Sequence, residues 1–114
     1  MPPAASPPKT RARYAAKRDA IMAAATEVFN NRGVSGFTLA AVAKMMDLHP
    51  VSLTYYFKRK EDLAAAVLHD TIRRWDAMLD EAFQETEPPA RLRRFVAAYL
   101  EVRRRIRLGE QPPL

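Results

Sequence analysis

The stretch FTLAAVAKMMDLHPVSLTYYFKRKEDL, Phe37–Leu63, decides the fold. Thr38 reads as a helix N-cap, because its side-chain oxygen can accept one of the N–H groups that a first turn leaves unpaired. Leu39, Val42, Ala43 and Met46 follow at i, i+3, i+4 and i+7, the apolar stripe of a short helix. Asp47, Leu48 and His49 break that stripe. Pro50 suits the first turn of a further helix, where its missing N–H is not needed, and Leu53, Tyr56 and Phe57 form the inward face. Two helices of about two turns each, joined by a turn of three to four residues, are the outline of a helix-turn-helix, whose second helix enters the major groove. The outward side of that helix must be slim, and Pro50, Val51, Ser52 and Thr54 are small. Thr38, the hydroxyls of Tyr55 and Tyr56, and Lys60 are donors placed for the phosphates on either side.

Toward the N-terminus, Ile21, Ala25, Val28 and Phe29 repeat at i, i+4, i+7 and i+8 and predict a helix from about Ala15 to Asn31, ended by Gly33 at C′. Residues 1–13 hold four prolines and no bulky apolar side chain, so a solvated basic tail is expected there. Toward the C-terminus, Glu61 and Asp62 stand where a helix start favours negative charge. Leu63, Val67, Thr71, Trp75, Met78, Leu79 and Ala82 then predict a fourth helix to roughly Glu85, with Trp75 in its core. Pro88 and Pro89 punctuate. Leu92, Phe95, Val96, Tyr99, Leu100, Val102 and Ile106 predict a fifth helix to about Arg107, and residues 108–114 a short tail. No strand-like alternation of useful length and no internal repeat occurs, so the expected class is all-α. The expected domains are a tail over 1–13, the helix-turn-helix domain over 14–62, helices four and five over 63–107, and the tail over 108–114.

The 114 residues include 19 Lys or Arg against 13 Asp or Glu, a net charge of +6 that is unevenly spread. Residues 1–63 carry +5, residues 64–87 carry −4 and residues 88–114 carry +5. A basic N-terminal half attracts a polyanion by counterion release and long-range steering. With no cysteine, no disulfide framework and no thiolate metal site is possible. The longest apolar runs, Ala20–Ala25 and Leu63–Leu68, fall far short of the roughly 20 residues of a membrane span. No secretory signal is visible, and a cytoplasmic location is expected.

From Gly33 to Leu63, the residues Phe37-Thr38-Leu39, Val42-Ala43, Leu48, Leu53, Tyr56-Phe57 and Lys60-Glu61-Asp62-Leu63 resemble the N-terminal domain of TetR-family transcriptional regulators. The most specific part is Tyr56-Phe57-Lys58-Arg59-Lys60-Glu61-Asp62-Leu63. The resemblance implies a homeodomain-like three-helix DNA-binding domain followed by two helices, the start of a TetR-type C-terminal domain. It gives Thr38, Tyr56 and Lys60 phosphate-contact roles, assigns base reading to residues 49–55, and places Leu53 and Phe57 in the core. It further implies a homodimer on a palindromic operator, blocking transcription. Three positions depart from the family: Asp47 where Gly is usual, Val51 where Gly or a small residue is usual, and Thr54 where Tyr is usual. Asp tolerates the left-handed conformation such a turn needs. The other two alter the base-reading surface, so no DNA sequence carries over from relatives. Members of the family resemble two-part proteins with a larger ligand-binding second domain, whereas this sequence stops after helix five, which leaves a small-molecule inducer little support.

His49, Pro50, Val51, Ser52, Thr54 and Tyr55 include none of the Arg, Lys, Asn or Gln that read G or A bidentately. Readout is therefore expected through thymine methyls against Pro50 and Val51, through single hydrogen bonds from Ser52, Thr54 or His49, and through DNA shape. An enzyme would need a pocket built from Ser6, Ser35, Ser52, His49, His69 and carboxylates, and no such triad is legible. No cofactor, metal or membrane partner is expected. The competing reading is a truncated, non-specific basic helical fragment that binds nucleic acid or an anionic membrane through the arginines of helix five.

Overall fold

The computed structural model describes residues 8–114, apart from the side chain of Pro8. The elements are α1 (Pro8–Arg32), α2 (Leu39–Met45), α3 (Pro50–Thr54), α4 (Lys60–Ala82) and α5 (Pro88–Arg107), with no strand among the described residues. The chain divides into two compact units, the first ending at Ala64 and the second spanning Ala65–Leu114.

In the first unit α2 packs against both α1 and α3. Gly33 closes α1 at φ +69°, its N–H donating to Phe29 O at 2.9 Å, the left-handed C′ geometry that glycine adopts without a Cβ penalty. Thr38 caps α2 in extended conformation, its Oγ1 accepting from Ala41 N at 3.0 Å. Asp47 takes φ +56° between α2 and α3, and the next residue, Leu48, donates its N–H to Ala43 O at 2.8 Å. The usual glycine is thus replaced by a residue that tolerates the same backbone. Ile21, Ala25, Val28, Phe37, Val42, Ala43, Leu53, Phe57 and Leu63 are buried, and the Phe29 and Phe37 rings meet at 4.9 Å.

Of the tail expected over residues 1–13, residues 1–7 lie outside the described residues and residues 8–13 are helical. α1 starts at Pro8, and Ala, Lys and Arg, all strong helix formers, dominate residues 9–18. The proline count misled because the prolines end where the helix begins.

In the second unit α4 and α5 run antiparallel, joined through Glu85 O, which accepts from Arg91 Nε at 2.7 Å. Pro88 and Pro89 open α5. Arg94 donates to Glu81 at 3.0 Å, Gln84 at 2.9 Å and Glu85 at 3.1 Å. Arg104 and Arg105 both bond Glu101, holding its carboxyl down at about 2. Residues 108–114 are pinned: the Arg74 guanidinium donates to Gln111 Oε1, Pro112 O and Pro113 O at 2.8–3.2 Å.

The expected core of this unit needs correction. Met78 and Ala82 are buried, but Trp75 is 37% exposed and Leu79 42%, and α5 buries no residue. Phe95 and Tyr99, expected inside, are half-buried and stack on Trp75 at 6.2 and 5.9 Å. A pair of helices has one seam, and Leu68, Ile72, Leu79 and Phe83 lie off it on α4, as do Leu92, Val96 and Leu100 on α5.

Candidate nucleic-acid interface

α3 owes its start to two residues. Pro50 occupies its first turn, and His49 caps it, Nδ1 accepting from Val51 N at 3.2 Å. A ring that accepts at Nδ1 carries its proton on Nε2, so His49 keeps one free donor. Leu53 is fully buried and turns the other positions outward: Val51 is 67% and Tyr55 73% exposed, with Ser52 and Thr54 exposed and Pro50 half-buried.

The hydrogen-bonding options of that face are narrower than the residue types suggest. Thr54 Oγ1 donates to Val51 O at 2.6 Å, so its hydroxyl proton is committed to the helix and it faces solvent as an acceptor. Ser52 makes no side-chain hydrogen bond among the described residues and keeps both donor and acceptor. Direct donation from α3 thus falls to Ser52 and His49. Val51 and Tyr55 lie four residues apart, one above the other on the outward face, giving apolar contact surface between these groups.

The flanking donors are arranged differently. Thr38 Oγ1 spends a lone pair on its cap and leaves its O–H free to donate. Tyr56 is half-buried and stacked on Tyr14 at 4.9 Å, with Tyr55 edge-on to both rings at 5.1 and 5.8 Å. Burial, followed by the neighbouring phenols of Tyr55 and Tyr14, raises the Tyr56 pKa above its ordinary value, so the hydroxyl stays a donor. Lys60 begins α4, exposed and without an ion pair among the described residues. Arg59 between the two lysines is taken by Asp62 at 3.2 Å, which lowers that carboxyl's pKa. The basic triplet therefore offers Lys58 and Lys60.

Sequence reasoning missed Tyr14. It stands seven residues before Ile21, on the same face of α1, a signal hidden by ending the tail at residue 13. Arg18 was likewise counted only as charge, yet its guanidinium lies over the Phe57 ring at 5.1 Å.

Residues 21–67 match the family described as bacterial regulatory proteins, tetR family. Over 89 residues, 78% of this chain, the sequence is 34% identical to the HTH-type transcriptional regulator RutR of Escherichia coli (strain K12) and, equally, to that of Shigella flexneri. The matched stretch is 42% of each relative, so the chain spans less than half their length. No solved structure matches. No helix among the described residues is long and apolar enough to cross a membrane. The family match begins at the first fully buried side chain of α1, takes in the Thr38 cap, the Asp47 turn and α3, and ends on α4, so over these residues the chain is similar to the tetR family of bacterial regulatory proteins.

Proposed function

We propose that this chain is a sequence-specific DNA-binding regulator of transcription that acts in the cytoplasm as a repressor, two copies binding the two halves of a palindromic operator. The observation that carries the reading is the outward face of α3, where Val51, Ser52 and Tyr55 stand exposed on a helix fixed from behind by the fully buried Leu53. In this reading Pro50 and Val51 meet thymine methyls, while Ser52 and His49 donate single hydrogen bonds and Thr54 accepts one. Thr38, Tyr55, Tyr56 and Lys60 hold phosphates. Half-sites about one helical turn apart suit a two-fold pair of such heads. The domain reading follows the same lines, with DNA binding in residues 14–62 and helices four and five as the start of a second part. No cofactor enters, and a small-molecule inducer has no role in the proposal.

Arginines of α5 favour this reading over binding through that helix. Arg94, Arg104 and Arg105 are spent on Glu81, Glu85 and Glu101, and Arg91 on the Glu85 carbonyl and the Phe83 ring, which leaves Arg93, Arg103 and Arg107 without such a partner among the described residues.

Selection of bound sequences from a randomised duplex pool at near-physiological salt tests the proposal. A palindrome should be enriched. Enrichment of nothing, with binding that vanishes as salt rises, would remove sequence specificity from the chain. Two variants then separate the roles. Lys60→Ala should weaken all duplexes alike and lower the salt slope by about one, whereas Ser52→Ala should alter preference at one base position. A uniform loss from Ser52→Ala would instead put α3 outside the groove.

A further inference from the structure

The first three turns of α1 carry positive charge that the structure leaves unused. Lys9, Arg13 and Lys17 recur at i, i+4 and i+8, a single row along one side of the helix, and all three are exposed. None of them forms an ion pair among the described residues, and the first acidic residue in the sequence is Asp19. On α5, by contrast, Arg94, Arg104 and Arg105 bond carboxylates.

The row is also held in place. Tyr14 follows Arg13 and sits three residues before Lys17, and its ring stacks on Tyr56 at 4.9 Å and meets Tyr55 edge-on at 5.8 Å. Tyr55 shares the outward face of α3 with Val51, so the aromatic contact fixes this part of α1 beside the C-terminal end of the base-reading helix. Arg18 over Phe57 adds a second tie one turn further on. A flexible basic tail would surrender conformational entropy on binding; a row already built on a helix does not.

We propose that Lys9, Arg13 and Lys17 form a phosphate-binding rail that follows the backbone of duplex DNA alongside α3, with Tyr14 as the positioning residue that keeps it there. The proposal rests on the DNA-binding reading above and extends its footprint. Eight residues of helix cover about 12 Å, a length over which one strand presents about three to four phosphates. The rail meets charge rather than base edges. It raises affinity without adding sequence information, which suits a recognition helix that lacks bidentate side chains.

The test is the salt dependence of duplex binding for the full 114-residue chain, for the variant Lys9→Gln/Arg13→Gln/Lys17→Gln, and for a control Arg93→Gln/Arg103→Gln/Arg107→Gln with the same change in charge. Glutamine is a comparable helix former, so circular dichroism should show unchanged helix content. The rail variant is expected to lower the slope of log K against log salt by about two to three, at about 0.9 per phosphate contact, and the control by less than one. Tyr14→Leu, which leaves every charge in place, should weaken binding several-fold. Equal slopes for the parent and the rail variant, in a parent that binds duplex, would overturn the rail alone. An equal drop from both triple variants would overturn it too, since net charge would then suffice. A parent that binds no duplex sinks the DNA reading and the rail with it. Tighter binding of the parent to vesicles of anionic phospholipid, lost in the rail variant, would reassign the row to a membrane surface.

Discussion

Leu53→Ala should lower the melting temperature of the first unit by about 10–30 °C, on the scale of 4–8 °C per kcal/mol for a small domain. Leu53 is fully buried and is the only buried residue of α3. Truncation of such a side chain costs about 2–5 kcal/mol, the lost transfer energy plus that of the cavity left behind. A unit of this size is stabilised by roughly 3–8 kcal/mol, so the variant spends most of the available margin. The effect on DNA binding should follow the stability, because α3 has five residues and no other buried anchor. Leu53→Met, which keeps the volume, should cost less than about 1.5 kcal/mol. Thermal unfolding followed through the near-ultraviolet signal of the Tyr14, Tyr55 and Tyr56 cluster gives the number. A shift under about 3 °C for Leu53→Ala would mean that α3 is not held by this contact.

Gly36→Ala should destabilise the first unit through crowding, which neither of the other two glycines would cause. A Cβ built on Gly36 would stand 2.5 Å from Arg32 Cβ and 2.9 Å from Arg32 O, closer than real atoms approach. Neither atom is the end of a flexible side chain, so the link between α1 and α2 must shift. Overpacking of this kind costs about 1–3 kcal/mol. The displacement falls one residue before Phe37, whose ring packs on Phe29, and two before the Thr38 cap, so it should weaken DNA binding beyond what unfolding explains. Gly33 is a different case. A Cβ there meets nothing within 4 Å, and the demand is for its φ of +69°. Urea unfolding together with duplex affinity at fixed salt checks the prediction, and an unchanged midpoint for Gly36→Ala would refute the crowding.

The features of the first unit that were legible in the sequence are those set by local rules. Thr38 caps α2, Gly33 ends α1 and Leu53 and Phe57 point inward, each because residue type and spacing leave little choice, while the left-handed turn at Asp47 was legible only through the family resemblance. What stayed hidden depends on contacts between elements or on a hydroxyl's choice of partner. Tyr14, in the early turns of α1, meets rings some forty residues away in sequence. Thr54 gave no sign that its proton returns to Val51 O, nor Arg59 that it pairs with Asp62. On α4 two apolar rows run side by side, one with the buried Val67, Met78 and Ala82, the other with Leu68, Ile72, Trp75, Leu79 and Phe83. They are offset by one residue, about 100° of rotation, and periodicity merged them into one stripe.

That α5 buries none of its twenty residues bears on how the chain loses its structure. Protection of a helix against local opening comes from buried apolar contact, and here it rests on exposed arginine–carboxylate pairs that salt screens and on rings half in water. The two halves therefore need not come apart together. Trp75, the single tryptophan, reports on the second unit, and the clustered tyrosines report on the first. Heating should separate their transitions, and no one free energy of unfolding then describes the molecule.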